Sequence, residues 1–156
     1  MFKIAEDARF MRVALAQVRV GARAGQMPFG ACVVVDGKLV SAEHNTVSTD
    51  LDVTRHAEVN ALRQACRALG RIDLVGATVF TSCEPCPMCL AACFWAGVSR
   101  IVYSARVADA EAGGIRQLAN APQHLEALAA AGIEVVGDFL RDEGRAAFAE
   151  QETAGA

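Results

Sequence analysis

The chain has 156 residues, 53% of them hydrophobic and 21% charged, with a formal net charge of −3. That length suits one domain over residues 1–156, since a chain this size buries roughly 68–70% of its unfolded surface. The apolar share excludes disorder, no apolar run approaches the roughly 18 residues of a membrane span, and 18 acids against 15 bases point to a small-molecule partner rather than a general nucleic-acid binder.

Residues 3–21 place Ile4, Ala8, Met11, Leu15 and Val18 at the three-to-four spacing of an amphipathic helix, closed by Gly21 and Gly25. The first seven residues carry acids and no apolar block, so they do not read as a signal peptide and the expected setting is the cytoplasm. Pro28-Phe29-Gly30 leads into residues 31–35, which Asp36-Gly37 joins to residues 38–42. Asp-Gly between two apolar runs predicts an antiparallel hairpin. Thr54 is placed to cap a helix over about 55–69, closed by Gly70. Residues 77–82 read as a buried strand, a second helix runs from near Cys86 to Gly97, and residues 100–103 form the next strand. A Gly113-Gly114 loop, a helix over about 122–131, a short strand at 133–136 and a last helix over about 141–151 complete the chain. Strands alternating with helices after the hairpin predict an α/β fold, a three-layer α/β/α sandwich on a mixed five-stranded sheet.

Two fragments carry the chemistry, His56-Ala57-Glu58 and Pro85-Cys86-Pro87-Met88-Cys89. Each stands where a loop becomes a helix, an electropositive place that favours thiolates, and the thiolate is the metal-binding form. His56, Cys86 and Cys89 make three ligands for Zn²⁺, one ion per chain. Three protein ligands leave a coordination position for water, as catalytic zinc requires, whereas structural sites close with four. Bound zinc lowers the pKa of water from about 15.7 toward about 7. Glu58, two residues from His56, is placed to take the water's proton and deliver it to a ring nitrogen and then to a leaving amine.

This spacing is similar to the signature of the cytidine-deaminase-like zinc hydrolases, H-x-E followed by P-C-x-x-C. Pro28-Phe29-Gly30-Ala31, Asn45, Thr54, His56 to Val59 and Thr81 to Leu90 resemble the bacterial guanine deaminase branch over roughly residues 4–105. The resemblance implies a cytidine-deaminase-like fold, a homodimer, and hydrolytic deamination of a free nucleobase or related amino-heterocycle, with guanine foremost. It also implies that Asn45 hydrogen-bonds the base, that Phe29 walls the pocket, and that the Ala57 N–H meets an exocyclic oxygen. Phe94 and Trp95 are assigned by it to the pocket or to a subunit interface. Guanine deaminases carry acids near residues 116 and 117, where this chain has arginine and glutamine, so Asp109 and Glu111 are the replacements for those acids.

Competing readings accompany these. A tRNA-specific adenosine deaminase, suggested by residues 132–143, would need a basic surface, which the acidic total disfavours; cytosine or a nucleoside is a further alternative. A structural zinc with Cys83 or Cys93 as fourth ligand would have no use for Glu58. Cys83 and Cys93 otherwise read as small buried hydrophobes, Cys32 and Cys66 as core, and His44 and His124 as surface or loop residues. In a reducing cytoplasm all six cysteines are thiols rather than disulfides.

Overall fold

Asp36 and Gly37 both take left-handed backbone conformations, φ 50° and 69°, the pair that a two-residue hairpin turn requires. They join β1 (Gly30–Val35) to antiparallel β2 (Lys38–His44), as the sequence predicts. In this computed structural model, which describes residues 1–152, β3 (Thr78–Cys83) lies antiparallel on the other side of β1. β4 (Arg100–Ala105) and β5 (Glu134–Val136) then add in parallel, so the five strands run β2-β1-β3-β4-β5.

Parallel neighbours need a crossover between them. Here α4 (Pro87–Ala96) carries the chain from β3 to β4, and α6 (Pro122–Ala130) carries it from β4 to β5. With α3 (Ala57–Leu69), these helices cover one face of the sheet. Ala31, Val33, Val79 and Ile101 pack there against Ala57, Ala61, Leu90 and Cys93. The alternate strand residues Cys32, Val34, Phe80 and Val102 meet α1 (Phe2–Arg23) and α7 (Arg141–Glu152) through Phe10, Met11, Ala14 and Ala147. The period-two alternation along β1 thus builds two cores, and the architecture is the expected mixed five-stranded sandwich.

At Gly30 the backbone of α1 lies directly on β1. A Cβ added there would stand 2.1 Å from the Ala14 carbonyl oxygen, so only glycine lets the two elements touch.

Several local expectations need correction. α1 runs past Gly21 to Arg23. Two short helices escaped the sequence pattern, α2 (Val47–Asp50) and α5 (Val107–Ala112), neither long enough to show a helical period. Thr54 does not cap α3; its hydroxyl donates to Asp52 Oδ1 at 2.6 Å, and His56 holds the N-cap position. Cys66 is half-buried at the margin of its cluster, because it sits on the outer side of α3 where no further layer covers it. Cys32, Cys83 and Cys93 are buried as expected, and all six cysteines are free thiols. Among the described residues, no helix is long and apolar enough to cross a membrane.

Candidate active site

Helices α3 and α4 both begin beside the sheet after a residue in extended conformation, His56 (φ −63°, ψ 156°) and Cys86 (φ −69°, ψ 168°). Pro87 at the first turn of α4 suits that start, since its fixed φ matches the helix and its missing N–H would have no acceptor there. Cys89 follows three residues later on the same side. The two helix starts therefore bring an imidazole and two sulfurs together.

Cys86 Sγ lies 3.7 Å and Cys89 Sγ 3.6 Å from His56 Nδ1, and all three atoms fall within 4.8 Å of one another. Zinc–sulfur bonds of about 2.3 Å and zinc–nitrogen bonds of about 2.05 Å, opened to a tetrahedral angle, place N and S about 3.6 Å apart. The observed spacing is that of a zinc tetrahedron's edge, so the donor set fits the metal. Cys83, whose Sγ faces the Arg106 carbonyl oxygen at 3.6 Å, and Cys93, buried in the sheet-facing core, are not part of the cluster. Three candidate ligands rather than four is the number that a catalytic zinc site uses.

Charge within the cluster follows from the same contacts. Cys86 is pulled down to about 4, chiefly by the hydrogen bond from Cys89 and then by His56, against its own burial. It is a thiolate at neutral pH. His56 is raised by its hydrogen bond with Cys86. Cys89 is pushed up by that same pairing with Cys86 and by burial, and metal binding would release its proton.

Glu58, in the first turn of α3, is only 6% exposed. Its Oε1 accepts from the Thr81 hydroxyl at 2.9 Å, and its Oε2 lies 3.3 Å from Cys89 Sγ. Burial pushes its pKa up; its own backbone N–H and the Thr81 hydroxyl act the other way. A buried carboxyl whose pKa is pushed up by that burial, set beside the candidate ligands, is placed to accept and return a proton.

The cluster opens into a pocket of about 430 Å³, within the range of small-molecule sites. Phe29 lines it, with its ring edge-on to Phe148 at 5.7 Å between centroids. Asn45 also lines it and is 4% exposed; its Oδ1 accepts from the Val47 N–H at 3.1 Å, and among the described residues its Nδ2 has no protein acceptor. Ala57 is buried as the first residue of α3, so its N–H is one of the donors that a helix leaves without an internal acceptor.

Three of the residues singled out from sequence lie elsewhere. Trp95 is 81% exposed in a groove between α3 and α4 with Ile72 and Cys66, away from the pocket. It stands six residues beyond Cys89, about 240° further round the helix, so the two cannot share a face. Asp109 is bound by Arg141 through two bonds of 2.9 Å and caps α5 through the Arg106 N–H. That arginine holds the Asp109 carboxyl low. Glu111 is exposed on α5 and does not line the pocket. Residues 113–121 instead bring Arg116, Gln117 and Leu118 to the pocket wall.

Two further polar residues were not assigned from sequence. Glu84 lines the pocket, and its Oε2 accepts from the Val107 N–H at 3.1 Å; its signal was its place between Cys83 and Pro85 in the metal fragment. Thr81, the partner of Glu58, could have been found from the alternation along β3, which turns it to the same side as Val79.

Comparison with known proteins follows the same residues. The family model for the cytidine and deoxycytidylate deaminase zinc-binding region matches residues 4–105. Guanine deaminase from Bacillus subtilis (strain 168) is 47% identical over 87 residues, 56% of this chain and 56% of that protein. A tRNA-specific adenosine deaminase from Agrobacterium fabrum is 38% identical over 112 residues, 72% of each chain. Among solved structures, an NE0047 variant in complex with 8-azaguanine superposes with a TM-score of 0.88 at 33% identity, over 96% of this chain and 85% of that one.

Proposed function

This chain belongs to the cytidine and deoxycytidylate deaminase zinc-binding family, and we propose that, as a single deaminase domain, it hydrolyses free guanine to xanthine and ammonia. One observation carries the reading: a buried Glu58 beside a three-ligand zinc cluster, at the floor of a pocket sized for a base. The similarity to a guanine deaminase and to a protein that binds 8-azaguanine supports guanine as the base. So does the pocket's chemistry. The Asn45 Nδ2 and the Ala57 N–H are donors without protein acceptors, and the exocyclic oxygen of guanine is an acceptor able to satisfy one of them.

His56, Cys86 and Cys89 would hold the metal. Zinc there would supply Lewis acidity of the kind that lowers the pKa of a water toward about 7. Glu58 takes a proton from the attacking water as the water oxygen bonds to the carbon bearing the amino group, and passes the proton to the adjacent ring nitrogen, which receives the electrons of the C=N bond. Glu58 then takes the remaining hydroxyl proton and hands it to the amino nitrogen. The C–N bond breaks toward nitrogen, ammonia leaves, and the new carbonyl closes the balance. Phe29 stacks on the ring and Asn45 orients it. The setting is a reducing cytoplasm, in keeping with six free thiols. A second copy of the chain covers the apolar groove where Ile72 and Trp95 stand 84% and 81% exposed, giving a homodimer.

The test is Glu58→Gln. It should keep one zinc per chain and lose at least about 100-fold in ammonia release from guanine, the least expected when a general acid–base is removed. Undiminished turnover would end the reading. Release from an anticodon stem-loop but not from guanine would favour the tRNA adenosine reaction, to which the Agrobacterium relative points.

A further inference from the structure

The pocket wall built from residues 113–121 carries a cation, Arg116, and the acids expected to serve the pocket in its place, Asp109 and Glu111, do not line it. Arg116 lines the pocket and is exposed, and among the described residues no carboxylate lies within ion-pair distance of it. Asp109 is engaged by Arg141, and Glu84, which lines the same pocket, accepts through Oε2 from the Val107 N–H and makes no ion pair with Arg116. The segment is pinned at its base. Ile115 N–H donates to the Ala110 carbonyl at 3.0 Å. Asn120 Nδ2 donates to the Pro85 carbonyl at 2.6 Å, next to the ligand Cys86. Arg116 therefore stands over the same cavity as Glu58, with Glu58 buried at the floor and Arg116 at the rim.

A guanidinium has five donors and no acceptor, and its planar fork fits a carboxylate or phosphate better than any neutral group. Neutral guanine, with its amino group down at Glu58, offers that fork only neutral acceptors such as O6 and N7 and no negative charge. A ring with the same 2-amino-4-oxopyrimidine edge and an anionic group on its far edge engages both ends of the pocket.

We propose that Arg116 makes this pocket selective for fused 2-amino-4-oxopyrimidines that carry an anionic group on the edge away from the departing amine. Gln117, beside it on the wall, supplies an amide able to donate to the same group. The inference rests on the aminohydrolase reading, because that reading decides which edge of the ring enters first. The partly shielded rim strengthens a charge pair relative to open water, and added salt weakens it.

Pterin and pterin-6-carboxylate test this directly. Both present guanine's 2-amino-4-oxo edge, both fluoresce, and they differ only in the far-edge carboxylate. Fluorescence titration of the zinc-loaded full chain in low salt should show the carboxylate binding at least about tenfold more tightly, or about 1.4 kcal/mol. Arg116→Ala should bring the two affinities together, Arg116→Lys should keep part of the difference, and Arg116→Glu should reverse it. Arg116 is exposed, so these variants should keep the wild-type circular dichroism spectrum. Equal binding of the two pterins by wild type, an unchanged ratio in Arg116→Ala, or no binding of either would overturn the proposal. Ammonia release from guanine by wild type reads the parent reaction separately: its absence with the pterin ratio intact sinks the guanine reading and leaves the role of Arg116 standing.

Discussion

Replacing Thr81 with valine exchanges one buried hydroxyl for a methyl group of similar shape. Thr81 is 1% exposed, and its single proton is offered to Glu58 Oε1 at 2.9 Å and to the Cys83 carbonyl at 3.1 Å. A hydrogen bond to a charged group contributes about 1.5–3 kcal/mol, roughly 10- to 150-fold in rate if it is felt in full at the transition state. One proton shared between two acceptors belongs in the lower half of that range, so kcat/KM for guanine should fall by about 10- to 30-fold. The pH profile should move as well. The Thr81 hydroxyl lowers the pKa of Glu58 against the raising effect of burial. Its loss sends that pKa further up, so the acidic limb of kcat/KM moves to higher pH.

Stability should follow the same sign. Glu58 has its folded pKa raised, so its burial costs less while it is protonated than when it is ionised. The cost grows as pH rises from the unfolded carboxyl value of about 4.3 toward the folded one. The variant enlarges that cost, so its Tm should trail the wild type by a gap that widens over this window and closes at low pH. Steady-state ammonia release between pH 5 and 9, with zinc content measured on the same samples, checks both effects. A variant with full zinc, kcat/KM within about twofold of wild type and an unmoved acidic limb would refute the role given to this hydroxyl.

Gly30→Ala should destabilise the fold by about 3 kcal/mol or more, read from urea or thermal unfolding, because the new methyl would meet the Ala14 carbonyl oxygen at 2.1 Å and neither element can retreat without opening a core. A fully stable alanine variant would mean that α1 is not pressed on β1 as described. Trp95→Glu should turn the proposed homodimer into monomer by light scattering, since it sets a charge in the apolar groove between α3 and α4; a wild-type mass of one chain would remove the dimer altogether.

Most of the scaffold was legible because its signals are local. The Asp36-Gly37 turn, the helical spacing in α1 and α3, and the glycines closing α3 and α4 each act within a few residues. The zinc ligands were legible for the same reason, since each fragment lies within one turn of a helix start. α2 and α5 were not, because four and six residues are too few to display a period. The pocket wall built from residues 116–118 was illegible for a different reason. Asp109 is turned from the pocket by Arg141, 32 residues further along, and nothing near residue 109 announces that partner. Trp95 is the opposite case, for the helical angle from Cys89 already placed it on another face.

The bond from Asn120 to the Pro85 carbonyl separates two duties within one cavity. It anchors the wall segment to the stretch that carries the candidate metal ligands, while among the described residues no side-chain hydrogen bond joins residues 116–118 to His56, Cys86 or Cys89. Those three positions can be rewritten as a cassette, by charge or by bulk, while the reacting groups stay on α3 and α4, which are held by the sheet. A redesigner seeking a new ring would therefore leave Asn120 alone and randomise the three residues before Ala119.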